Sequence, residues 1–117
     1  MKILYKIDKE NKTVVAYFEG GKDAWVDAII KEAFKLERAT NDVIRFDLQY
    51  IGEQTEKVLN DMNLFGKAKC HPEDTFNPDV GAKMASRRLL DKLAKVKARV
   101  FDKLQVKVNN LNWELIK

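Results

Sequence analysis

The sequence predicts a single α+β domain over residues 1–117: a small, mostly antiparallel sheet packed with two or three helices, ending in a long basic helix. Three observations carry that expectation. The opening residues alternate in the manner of two paired strands, and residues 78–104 carry an unbroken apolar stripe at helical spacing. At 117 residues the chain is long enough to bury a core, yet too short for a doubly wound nucleotide-binding fold or a barrel.

Taken in order, Ile3, Tyr5 and Ile7 alternate with Lys2, Leu4 and Lys6, and Thr13-Val14-Val15-Ala16-Tyr17-Phe18 is rich in β-branched and aromatic residues. The residues between them, Asp8-Lys9-Glu10-Asn11, make a hairpin the natural reading. Gly20 and Gly21 end the second strand, and Asp23 suits the N-cap or first turn of a helix running to about Ala39. Trp25, Ile29 or Ile30, Ala33, Phe34 and Leu36 form its expected apolar face, leaving Asp27, Lys31, Lys35 and Arg38 to solvent. After Thr40-Asn41-Asp42 the residues separate at period two. Val43, Arg45, Asp47 and Gln49 make the polar set and Ile44, Phe46, Leu48 and Tyr50 the apolar one, the pattern of a strand with one buried face.

A shorter helix is expected over 53–65, with Val58, Leu59, Met62 and either Leu64 or Phe65 inward. Gly66 opens an irregular stretch that begins as a brief strand and holds both prolines. Pro72 disfavours helix in the residue before it, and Pro78 is placed to start the last helix with Asn77 as its cap. Ala85, Leu89, Leu93, Val96, Val100 and Leu104 follow at 4, 4, 3, 4, 4 spacing, and a helix over 78–104 spans roughly 40 Å. Beyond it Val106, Val108, Leu111, Trp113 and Leu115 alternate around Asn109-Asn110, which suggests a second hairpin.

Charge is segregated along the chain. Residues 1–60 hold ten basic and eleven acidic residues, whereas 61–117 hold twelve and seven, and within 80–107 the count is nine against two, a net of +7. A region so biased attracts anionic partners. Arg88, Lys92, Lys95, Arg99 and Lys103 recur at 4, 3, 4, 4 spacing beside the apolar stripe, with Lys83 and Arg87 adding charge near the helix start. Such a row can track a phosphate backbone, and it can equally be the solvated face of an amphipathic helix.

Other chemistry is sparsely represented. Cys70 is the only cysteine, so neither a disulfide nor a zinc site is expected, and no metal or cofactor is. Cys70 and His71 are sequence neighbours whose side chains diverge on an extended segment, a poor arrangement for a thiol nucleophile, so a buried Cys70 and a surface or hydrogen-bonded His71 are expected. Glu73, Asp74 and Asp79 fit turn-forming and capping work better than a cation site. The aromatic residues are expected in the core for the most part, with Trp113 the least settled. No segment is apolar enough to enter a membrane or to serve as a secretion signal, and the expectation is a cytoplasmic protein.

The run Gly66-Lys67-Ala68-Lys69-Cys70-His71-Pro72-Glu73-Asp74-Thr75-Phe76, with Gly81, Ala85 and Arg88 after it, resembles a pattern of small uncharacterised phage- and prophage-encoded proteins: G-x-A-x-C-x-P-x-D-x-F, then G-x-x-x-A and an arginine. The resemblance covers 66–88 and brings no activity with it. A looser similarity, in the Lys83, Arg87, Arg88 region, is to double-stranded RNA-binding domains, which join a three-stranded sheet to a basic final helix. These readings lead to a non-enzymatic phage-related accessory protein that binds nucleic acid, RNA or DNA, through Lys83, Arg87, Arg88, Lys92, Lys95, Arg99 and Lys103. The alternative is a protein–protein interaction module, such as a phage inhibitor of a host protein, dimeric through Leu89, Leu93, Val96 and Val100. An enzyme using Cys70 or the Glu73/Asp74 pair ranks behind both.

Overall fold

The structure, a computed structural model, describes the backbone of residues 1–116 and the side chains of residues 1–104. Three strands, β1 (Ile3–Asp8), β2 (Thr13–Phe18) and β3 (Phe65–Lys69), form one antiparallel sheet in the order β1-β2-β3. The helices are α1 (Lys22–Ala39), α2 (Leu48–Leu59) and α3 (Pro78–Ile116), so the α+β class holds. Among the described residues no helix is long and apolar enough to cross a membrane.

The hairpin forms as expected, in register from Ile3↔Phe18 to Asp8↔Thr13. Its turn is tied by Asp8, whose Oδ1 accepts from Asn11 N at 3.2 Å and whose Oδ2 accepts from Asn11 Nδ2 at 2.7 Å. The two hydrogen bonds hold the Asp8 carboxyl below the usual aspartate range, because they favour the charged form.

Strand alternation then gives the sheet two unlike faces. Val14, Ala16, Phe18 and Ala68 are buried on the face that α3 covers, and all six residues of the α3 stripe are no more than 5% exposed. Each fully buried aliphatic side chain larger than alanine gains about 1.5–3 kcal/mol on leaving water, so this stripe is what holds the helix to the sheet. The approach is close. A Cβ at Gly66 would stand 2.1 Å from the Ala85 carbonyl oxygen and 2.6 Å from Leu89 N, and one at Gly81 would stand 2.7 Å from Val14 Cγ2. Gly66, Ala68, Gly81 and Ala85, four positions of the 66–88 motif, are therefore small because α3 lies against the strands there.

The start of α3 is capped as expected. Asn77 Oδ1 accepts from Asp79 N at 3.0 Å, and Pro78 occupies the first helical position, where no N–H is needed. Its end differs from expectation: the backbone stays helical to Ile116, so no hairpin forms around Asn109-Asn110. The side chains of Val106, Val108, Leu111, Trp113 and Leu115 lie outside those described.

The segment 43–50 is also not a strand. Ile44, Phe46, Leu48 and Tyr50 are half-buried and Val43, Arg45, Asp47 and Gln49 exposed, so the period-two pattern is present, but among the described residues no neighbouring strand pairs with it. Asp47 instead caps α2, its Oδ1 accepting from Tyr50 N at 3.1 Å, which moves the expected 53–65 helix upstream, and Phe65 opens β3 rather than ending that helix. The loop before it is anchored by α1. Glu37 is 7% exposed and its Oε1 accepts from Phe46 N at 3.1 Å, while the Phe46 ring meets Phe101 of α3 edge-on at 6.1 Å. Trp25, Ile29 and Ala33 of α1 enter the core as expected, with Trp25 edge-on to Phe18 at 5.4 Å, but Phe34 and Leu36 are more than 40% exposed. Glu37 occupies the inward phase two turns after Ile29, and the loop it must hold explains the buried carboxylate.

Candidate nucleic-acid interface

The seven basic residues of interest separate into two groups, because a helical turn of about 3.6 residues puts them on opposite sides of the buried stripe. Arg88, Lys92, Lys95, Arg99 and Lys103 form one row, along the side of α3 that meets β3 and α2. Lys83 and Arg87 lie on the other side, beside a groove of about 510 Å³ between β1 and α3 that also includes Tyr5, Ser86 and Leu90. Tyr5 Oη and Ser86 Oγ share a hydrogen bond of 2.6 Å there.

Two members of the row have a structural task. β3 is an edge strand, and its Phe65 and Lys67 carbonyls point away from β2 toward α3's basic row. Lys92 Nζ donates to the Phe65 carbonyl at 2.6 Å and to Asn63 Oδ1, and Arg88 Nη1 donates to the Lys67 carbonyl. Unpaired edge carbonyls are a template for adding another strand, and these two cations occupy them. Lys92 also stands 5.3 Å from the centroid of the Phe65 ring. Partial burial pushes its ammonium below the usual lysine range, since desolvation penalises the charged form. Lys103 Nζ donates to Gln54 Oε1 of α2 at 3.3 Å.

The row is not neutralised. Among the described residues the ion pairs are Lys31–Asp27 at 3.0 Å and Lys97–Glu32 at 4.0 Å, and neither includes a row member. Lys67 and Lys69 of β3 extend the positive band, because alternation exposes both at the strand beside the row. Sequence reading passed over these two lysines although Phe65-Gly66-Lys67-Ala68-Lys69 carries the period-two signal that places them on one face.

Leu89, Leu93, Val96 and Val100 are buried within the chain itself, at no more than 5% exposure. The stripe packs on the chain's own sheet and helices, so it offers no dimer surface. Cys70 is half-buried where full burial was expected: its Sγ lies 3.5 Å from the His71 carbonyl and 3.8 Å from that of Asp74, in a curled segment that leaves it open on one side. His71 Nδ1 accepts from Glu73 N at 3.3 Å. Lys12 braces the same segment, donating to the Pro72 and Asp74 carbonyls at 3.1 and 2.8 Å. Among the described residues no three His, Cys, Asp or Glu side chains come together to hold a metal ion.

Compared with known protein families, curated proteins and solved structures, the chain matches none.

Proposed function

We propose that this domain binds nucleic acid along the cationic row of α3, with Lys95 and Arg99 as the principal phosphate contacts. One observation carries the reading: five cations lie in a single row with no carboxylate within 4.0 Å among the described residues, and Lys67 and Lys69 widen the band. Surface cations are ordinarily interspersed with acids, and a row left uncompensated favours a polyanion through release of its counterions. Arg88 and Lys92 contribute to the field while holding the β3 edge; Arg88 has further N–H donors beyond the one used on Lys67. The reading extends to a cytoplasmic, phage-related accessory protein, consistent with a lone thiol and with the 66–88 resemblance.

The test is fluorescence anisotropy with labelled oligonucleotides across a salt series. Binding should weaken steeply with salt, and Lys95→Glu with Arg99→Glu should lower the log–log slope by about two. Absence of binding at low salt, or binding indifferent to these reversals, overturns the reading. The groove beside β1 favours a second reading, a partner protein. Tyr5 and Leu90, 43% and 48% exposed, line that groove, and Ile7 on the same strand is 50% exposed.

A further inference from the structure

The outer face of the sheet is where the molecule departs from what a structural role requires. All three helices pack on the other side or beyond the sheet's end, and among the described residues none covers this face. Alternation and register place Leu4, Lys6 and Asp8 of β1, Thr13, Val15 and Tyr17 of β2, and Phe65, Lys67 and Lys69 of β3 upon it, with Asp8 and Thr13 at the end far from Tyr17 and Phe65. Tyr17 and Phe65 are direct cross-strand partners, and because the Phe65 carbonyl points away from β2 they form a pair of the non-hydrogen-bonded type, in which side chains stand closest. Phe65 is 37% exposed and Tyr17 half-buried, and with Lys6, Val15 and Leu64 they border a hollow of about 320 Å³. Lys6 Nζ lies 5.9 Å from the Tyr17 ring centroid.

We propose that this face binds single-stranded nucleic acid, with Tyr17 and Phe65 as the rings on which successive bases stack and Lys6, Lys67 and Lys69 as contacts to the phosphates. Charge complementarity selects the occupant: two adjacent aromatic rings in a field of three lysines fit an anionic chain with flat bases, whereas an apolar peptide would leave those ammonium groups uncompensated. Duplexes keep their bases stacked inside, so rings on an open sheet serve unpaired bases. Geometry joins this face to the row on α3. The strand β3 presents Lys67 and Lys69 outward while its edge carbonyls receive Arg88 and Lys92, so positive charge is continuous around the sheet edge. The proposal rests on the reading that the α3 row binds nucleic acid, and adds strand type and the means of holding bases.

The experiment measures anisotropy of the full chain with a labelled mixed-sequence 12-nucleotide DNA, the same sequence as RNA, and a 12-base-pair DNA duplex. Single strands should bind at least tenfold tighter than the duplex. Tyr17→Ala and Phe65→Ala should each weaken single-strand binding by a factor of about 5 or more while leaving duplex binding unchanged, since base–aromatic stacking is lost only there. Tyr17→Phe, which keeps the ring, should restore it. If single strands and duplex bind alike and both alanine variants bind as the parent does, the stacking face is overturned while the α3 reading stands. If nothing binds at low salt, both fall. Circular dichroism checks the fold of each variant. Should either alanine variant unfold, Lys67→Glu with Lys69→Glu, on exposed side chains, decides instead: unchanged single-strand affinity overturns the proposal.

Discussion

The two faces of one small sheet have opposite compositions. Toward α3 stand the small or branched Val14, Ala16, Gly66 and Ala68 together with Phe18, all buried, whereas the other face carries Tyr17, Phe65, Lys6, Lys67 and Lys69, with Asp8 and Thr13 at its far end. Crowding accounts for the small residues: the α3 backbone lies so near β3 that position 66 has no room for a methyl group. Among the described residues no helix backbone crowds the second, where Lys6, Lys67 and Lys69 are exposed, Phe65 is 37% exposed and Tyr17 is half-buried. The difference teaches that the face α3 covers is filled to contact, with small residues where the helix comes nearest β3 and Phe18 packed against Trp25, while the rings and cations of the other face are spared that packing.

The largest break in that comparison should come from Leu89→Ala. Leu89 is wholly buried under the helix, and removing its isobutyl group should cost about 3–4 kcal/mol in urea unfolding. Gly66→Ala should follow at about 3 kcal/mol, because the added methyl meets backbone atoms that cannot rotate aside. On the outer face Lys67→Ala, one residue along, should change stability by less than about 0.5 kcal/mol. A Gly66→Ala protein as stable as Lys67→Ala would erase the distinction.

A smaller effect sharpens the comparison at the sheet edge. Lys92→Ala frees the Phe65 carbonyl and should cost about 1 kcal/mol, reduced from the usual value for a charged hydrogen bond by its partial exposure, while Lys95→Ala should cost nothing measurable. The smallest effect lies in the β1–β2 turn. Asp8 has a depressed pKa in the folded chain, so its turn hydrogen bonds contribute at neutral pH and are lost as pH falls from the ordinary aspartate range through the folded pKa. A carboxyl NMR titration should find the Asp8 midpoint below the ordinary aspartate range, and Asp8→Ala should remove the corresponding acid-side step in stability.

Much of this was legible in the residues. The hairpin followed from alternation, the α3 phase from six apolar positions, and the Asn77-Pro78 start from local cap chemistry. The 43–50 segment shows where such reading ends: its half-buried and exposed residues alternate as written, yet a strand also needs a neighbour to receive its hydrogen bonds, and none is present among the described residues. Asp47, counted among the polar residues of a strand, was the signal of a helix cap. For the candidate site, the basic row was readable from its spacing, but the division of labour within it was not.

By itself, then, the sequence determined what short-range physics controls: the period of each element, the caps, the side of α3 that leaves water and the segregation of charge. The tertiary structure alone decided which face of the sheet stays open, that Arg88 and Lys92 turn to the β3 carbonyls while Lys95 and Arg99 have no partner among the described residues, and that Glu37 is buried beneath the 43–47 loop. Periodicity states that a side chain faces inward or outward; what it meets there depends on residues distant in sequence, brought alongside only when the elements pack.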